Sequence, residues 1–205
     1  AANNGNTVAM VNVGLCFEKG EGVTQDFTKA FEWYLKSASS GNANAMNNVG
    51  YCYSRGQGVK QDMTKAYEWF LKSANSGCAA GMHNVGWCYS RGQGVTQDYT
   101  KAFDWFMKLA ENGNAAGMNG VGDCYCNGNG VLRDLKKARE WFTKAANSGS
   151  ENAKENLRKL DEGQSKPDNG SLPDKPDEHS PHPSTIMEPL SSFASYFLFF
   201  SSCLE

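Results

Sequence analysis

The sequence predicts an all-α fold: a solenoid of four 36-residue helix-turn-helix repeats plus a C-terminal capping helix. Three observations carry this. Trp33, Trp69, Trp105 and Trp141 recur every 36 residues, and so do Gly14, Gly50, Gly86 and Gly122, then Gly22, Gly58, Gly94 and Gly130, then Ala30, Ala66, Ala102 and Ala138. A period of this length marks stacked units, each burying its apolar face only against its neighbours. Within the unit the apolar residues follow helical spacing. The only isoleucine is Ile186, so the repeats have a core of aromatics, Ala, Val, Met and Cys, and this scarcity of β-branched residues disfavours strands.

In the first unit, Met10, Val13, Gly14 and Phe17 fall on one helical face, widened by Ala9 and Cys16. Gly20-Glu21-Gly22-Val23 then breaks the helix. Asp26 is placed as an N-cap, its carboxylate accepting from free backbone amides at a helix start. Ala30, Trp33, Tyr34 and Ala38 form the apolar stripe of a second helix, which Gly41 ends from the C′ position. Gly14 facing Ala30 is expected to let the two antiparallel helices approach closely. The units run 7–42, 43–78, 79–114 and 115–150. Ala153, Leu157 and Leu160 continue the first-helix pattern among charged Glu151, Lys154, Glu155, Arg158 and Lys159, so residues 151–160 read as a polar-faced cap closing a solenoid of residues 1–160. Ala2 and Gly5 match Ala38 and Gly41, so the chain reads as a fragment that starts inside the last turn of an earlier repeat.

All six prolines follow Lys166, and residues 161–190 are too polar to bury a core, so they read as a disordered tail. In residues 191–205, Phe193, Tyr196, Phe197, Leu198, Phe199 and Phe200 make a short aromatic cluster. It falls short of the roughly 20 apolar residues a spanning helix needs, so membrane association is not supported by a full-length span. A docking peptide, a truncated membrane segment and translated non-coding sequence are the readings it leaves open.

The net charge is −2, without a Lys/Arg run, which excludes a basic stripe for nucleic acid. Cys16, Cys52, Cys88 and Cys124 occupy one repeat position. Equivalent residues on packed helices lie about 8–10 Å apart, whereas a disulfide needs Cα atoms within about 7 Å. They read as small buried thiols in a reducing compartment, which favours the cytoplasm, with the endoplasmic reticulum as the alternative.

The recurring pattern Ala/Gly-Met-x-Asn-Val-Gly-x-Cys-Tyr-x-x-Gly-x-Gly-Val-x-x-Asp-x-x-Lys-Ala-x-x-Trp-Phe-x-x-Ala-x-x-Gly resembles the Sel-1-like repeat, a relative of the tetratricopeptide repeat, over residues 1–160. The resemblance implies an α/α superhelix used as an adaptor, with members acting in membrane-protein degradation at the endoplasmic reticulum, cell-wall synthesis and signalling. Some bacterial members carry a disulfide in each repeat. This chain departs from that pattern, having a single cysteine at the equivalent position until Cys124 and Cys126.

Comparing the repeats with one another separates packing from specificity. Three first-helix positions vary: Val11, Asn47, His83 and Asn119; Leu15, Tyr51, Trp87 and Asp123; and Glu18, Ser54, Ser90 and Cys126. Offsets of 0, 4 and 7 place them on one stripe, opposite the constant positions, which is expected to be exposed. The resemblance implies that first helices line the concave face. The expected partner-binding residues are therefore Asn47, Tyr51, Arg55, His83, Trp87, Arg91, Asn119 and Asp123, since Trp, Tyr and Arg anchor interfaces. The Gly-x-Gly turns follow no strand, so they are not a dinucleotide loop. His83 has no nucleophile beside it, and His179 and His182 lack supporting ligands. No cofactor, metal or catalytic group is expected. The chain reads as a non-catalytic, monomeric adaptor for a protein or peptide segment. The alternatives are a regulatory repeat domain of a larger enzyme or signalling protein, or an adaptor in endoplasmic-reticulum-associated degradation.

Overall fold

The computed structural model describes residues 6–164, so the readings for the Pro-rich tail beyond 164 and for the aromatic cluster lie outside the described residues. Within them the chain forms α1 (Thr7–Lys19), α2 (Phe27–Ser39), α3 (Ala43–Arg55), α4 (Met63–Asn75), α5 (Ala79–Arg91), α6 (Tyr99–Glu111), α7 (Ala115–Asn127), α8 (Leu135–Asn147) and α9 (Glu151–Gln164). Consecutive helices pack as antiparallel pairs, and each second helix also packs against the next first helix.

The helix ends follow from the caps. Asp26, Asp62, Asp98 and Asp134 each accept a backbone N–H three residues on, at 3.0 Å. Such a bond satisfies one of the amides left free at a helix start. At the far end of α1, Gly20 takes φ +75° and its N–H returns to the Cys16 carbonyl. The first helices start on Asn6, Asn42 and Asn114, whose side chains cap them. Cys78 holds the same backbone conformation as Asn42 at the start of α5 but makes no side-chain cap.

The hairpin is closed by a ring seated on a glycine. A Cβ at Gly14 would lie 2.5 Å from the Tyr34 ring, and Gly50, Gly86 and Gly122 stand in the same relation to Phe70, Phe106 and Phe142. The expected Gly14–Ala30 approach is therefore corrected: the glycine makes room for an aromatic ring, not for an alanine. These rings are buried, whereas the neighbouring Trp33, Trp69, Trp105 and Trp141 are half-buried. Tryptophan flanks the core, and the residue after it fills it. Buried Ser37 and Ser73 add hydrogen bonds to the carbonyls of Thr7 (2.8 Å) and Ala43 (2.7 Å), tying the second helix to the start of the first.

Between repeats, Ala30, Tyr34 and Ala38 of α2 share a core with Ala45, Val49 and Cys52 of α3, and Trp69 packs against its edge. Trp105 and Trp141 repeat this at the next two junctions. Edge-to-face pairs Phe31–Tyr53, Tyr67–Tyr89 and Phe103–Tyr125, with centroids 5.5–5.6 Å apart, recur across the same junctions. Cys52, Cys88 and Cys124 are buried, free thiols, each pushed up to about 12 by desolvation. Cys16, at the same position in the first repeat, is only half-buried, as are Cys78 and Cys126. Residues 161–164, assigned from sequence to the tail, continue α9, where Asp161 pairs with Arg139 and Glu162 with Arg158.

Phe70→Ala is expected to destabilise the chain by about 3–5 kcal/mol in urea titrations, and by more than Trp69→Ala. The reverse order would overturn the division into core and flank. Cys78→Asn is expected to raise stability by about 0.5–2 kcal/mol, by restoring the cap that Asn42 supplies to α3.

Candidate partner-binding face

The varied stripe is less exposed than its variation suggests. Asn47 is buried, and Tyr51, His83, Trp87, Asn119 and Asp123 are half-buried; only Arg55 and Arg91 are exposed. For Asn47, Tyr51, Asn119 and Asp123 the physical reason is an asparagine from the next first-type helix. Asn84 of α5 donates to Asn47 Oδ1 of α3 at 2.8 Å and accepts from the Tyr51 hydroxyl at 3.2 Å. Asn156 of α9 likewise donates to Asn119 Oδ1 and Asp123 Oδ1 of α7, both at 3.1 Å. Neighbouring first helices are thus tied together through the positions expected to face solvent. The sequence carried a signal for this: asparagine stands at 12, 48, 84 and 156 on the 36-residue period, with Gly120 as the exception. No role is visible for it until the acceptors one repeat back are in place.

Two aromatic–guanidinium pairs follow in order along these helices. Arg55 Cζ lies 5.2 Å from the Tyr51 ring centroid, and Arg91 Cζ lies 4.8 Å from that of Trp87. Each pair is spaced four residues apart, which stacks the two side chains on one helix face. Each is a cation–π contact between a guanidinium and an aromatic face. Beneath the arginines, Tyr51 packs edge-on against Phe70 at 5.3 Å, and Trp87 packs against the core shared by α4, α5 and α6. His83 lies 6.0 Å from the Phe106 ring, and desolvation holds its imidazole below the usual histidine value. The Asn84 side chain is a second neighbour, and its hydrogen bond opposes that shift.

The Asp123 carboxyl is shifted up, to about 6 from 3.8. Burial is the main cause; nearby Lys159 opposes it. Asn119 Nδ2, at 3.1 Å, and Asn156 donate to the carboxyl, yet desolvation of the charged form outweighs them. Among the described residues, no three His, Cys, Asp or Glu side chains are grouped to hold a metal ion, and no helix is long and apolar enough to cross a membrane.

Helix pairs that stack through one shared core per junction, with a lateral face of aromatic, amide and arginine side chains, define an α/α repeat solenoid of the kind that commonly mediates protein–protein interaction. The Sel1 repeat model matches residues 7–42, 43–78, 79–114 and 115–150, and the chain belongs to the Sel1 repeat family. Among solved structures it is similar to c5321, a protective antigen of uropathogenic Escherichia coli with an SLR fold, at 38% identity and TM-score 0.72, covering 78% of this chain and 34% of that one. A Sel1 repeat protein from Oxalobacter formigenes matches at 32% identity and TM-score 0.72, covering 75% of this chain and 63% of that one. Cysteine-rich protein B of Helicobacter pylori matches at 26% identity and TM-score 0.51, over 65% of this chain and 96% of that one. The chain thus spans about a third of the first of these proteins and under two thirds of the second. Comparison with curated proteins gives no match.

The folded carboxyl of Asp123 titrates above its ordinary value, so its contribution favours folding below about pH 3.8 and is lost as pH rises through about 6. Asp123→Asn is expected to stabilise the chain at pH 7 by up to about 3 kcal/mol. The gain should shrink toward pH 4. Denaturation of both proteins across pH 4–7 measures this, and a stability difference independent of pH would contradict the buried-charge account.

Proposed function

We propose that the repeats form a non-catalytic adaptor that holds a segment of a partner protein in a groove lined by the first helices. The observation that supports this best is the adjacent pairs Tyr51–Arg55 and Trp87–Arg91. Each presents a ring fixed from below and an exposed guanidinium above it, a combination that suits side-chain packing and carboxylate or carbonyl recognition together. Asn47, His83, Asn119 and Asp123 contribute the polar floor, already held in place by inter-repeat hydrogen bonds or ring packing. A floor fixed before binding reduces the ordering cost of capture. The contact of α3 with α5, two first helices, supports the assignment of that side as the inner one.

Peptides selected from a random display library on the immobilised chain provide the test. Arg91→Ala and Trp87→Ala are expected to weaken the selected peptides, Trp87→Ala by about 30-fold, or 2 kcal/mol. Lys36→Ala, on a second helix, should leave them unchanged. Trp87 also supports a core, so Arg91→Ala, with an unchanged melting temperature, is the decisive variant. Peptides that lose affinity with Lys36→Ala but not with Arg91→Ala would place recognition on the other side of the stack.

A further inference from the structure

The first helices end without help from the residue in their last position. In α3, Gly56 and Gln57 donate to the Cys52 carbonyl, Asp62 donates to that of Tyr53 at 3.0 Å, and Gln61 Nε2 donates to that of Ser54 at 2.8 Å. α5 closes in the same way through Gly92, Gln93, Asp98 and Gln97. So does α7, with Arg133 in the place of the glutamine, although its last residue is Asn127. An arginine is therefore not needed at this position to terminate the helix, and Arg55 and Arg91 call for another account.

Charge sets the two arginines apart. They are the only Asp, Glu, Lys or Arg residues of α3 and α5. In the first repeat the equivalent Lys19 lies 3.6 Å from Glu21, whereas Gln57 and Gln93 stand at the Glu21 position behind the arginines. The next carboxylates along the turns, Asp62 and Asp98, cap α4 and α6 and pair with Lys65 and Lys101. Two otherwise uncharged helices thus each present one exposed guanidinium on an aromatic ring. Arg55 and Arg91 hold the same position on α3 and α5, which Asn84 ties together, and packed helices lie about 8–10 Å apart. That step selects the conformation of an anionic chain crossing both. A polyproline II chain has about three residues per turn and rises about 3.1 Å per residue, so side chains i and i+3 project to one side about 9 Å apart. A β-strand returns side chains to one side at about 7 Å and then about 13 Å.

We propose that Arg55 and Arg91 hold an acidic segment of the partner protein that crosses α3 and α5 as a polyproline II chain, with carboxylates at i and i+3, one to each guanidinium. This rests on the groove reading above and names the chemistry of what lies there. A guanidinium matches a carboxylate as a two-pronged donor, and the ring against its face fixes the plane of the fork. The acidic stretch is short. On α7 the arginine position is Asn127, and Asp123 stands where Tyr51 and Trp87 stand, so a third carboxylate in register meets no cation there.

The test is fluorescence anisotropy on the full chain with labelled proline-rich peptides of equal composition, their two aspartates set at i, i+2, at i, i+3 or at i, i+4. An alanine-rich helical peptide with aspartates at i, i+7 completes the set. The i, i+3 peptide should bind about tenfold more tightly than the others. Arg55→Gln and Arg91→Gln should each weaken it about tenfold with an unchanged melting temperature. Replacing one aspartate by asparagine should cancel the effect of one arginine variant and not of the other, which pairs each carboxylate with its guanidinium. Equal affinity at every spacing, or a preference for the helical peptide, would overturn the proposal. Library-selected peptides that need Trp87 and Arg91 but carry no carboxylate pair would overturn it while leaving the groove reading intact. Acidic peptides that respond to Lys36→Ala and to neither arginine variant would overturn both.

Discussion

Each hairpin depends on one contact: an aromatic ring lying where the opposing helix has no side chain. Gly14, Gly50, Gly86 and Gly122 are the only way to bring a ring of this size so near a helix backbone. That contact sets the spacing within the pair. The spacing in turn allows Ser37 and Ser73 to reach carbonyls of the first helix, and leaves alanine as the residue that fits one turn either side of the ring. Once the pair is fixed, its two outer surfaces have a fixed distance and tilt, and stacking follows from the shared cores. A core built from rings, alanines and cysteines rather than leucine and isoleucine is a consequence of that closeness.

Much of this was legible from the sequence, because packing repeats when the residues do. The period located the hairpins, the Asp N-caps and the turn glycines, and the α1 and α2 boundaries follow from Gly20 and Asp26. The partner of Gly14 was not legible, since helical spacing alone does not distinguish Ala30 from Tyr34 across a hairpin. Nor was the burial of Asn47. Variation between repeats was read as exposure, but a residue can vary because its partner varies: Asn47 and Tyr51 share Asn84, and Asn119 and Asp123 share Asn156, whereas Val11 and Leu15 offer Asn48 no such side-chain acceptor. A pairwise dependence across 33 to 37 residues is invisible when each repeat is read as a unit.

The same hydrogen bonds give the candidate face its character. Tyr51 and the amides expected to project freely are instead held on one side by the next helix pair, so the groove has a fixed floor, with exposed charged side chains at Arg55 and Arg91. Asp123 shows the cost of that arrangement, its carboxyl being desolvated where Tyr51 and Trp87 place neutral groups at the same position.

The asparagine ties also bear on mechanics. They fasten α3 to α5 and α7 to α9, while the residue that would fasten α5 to α7 is Gly120, whose missing side chain leaves space that the Phe106 ring occupies. These ties brace the second repeat to the third and the fourth repeat to the capping helix, while the α1–α3 and α5–α7 steps lack the asparagine tie. Apolar contacts resist separation but tolerate sliding far better than directional hydrogen bonds. A step without such a tie changes its angle at lower cost, so a ligand spanning Trp87 of α5 and Asp123 of α7 would sense the angle between those two helices.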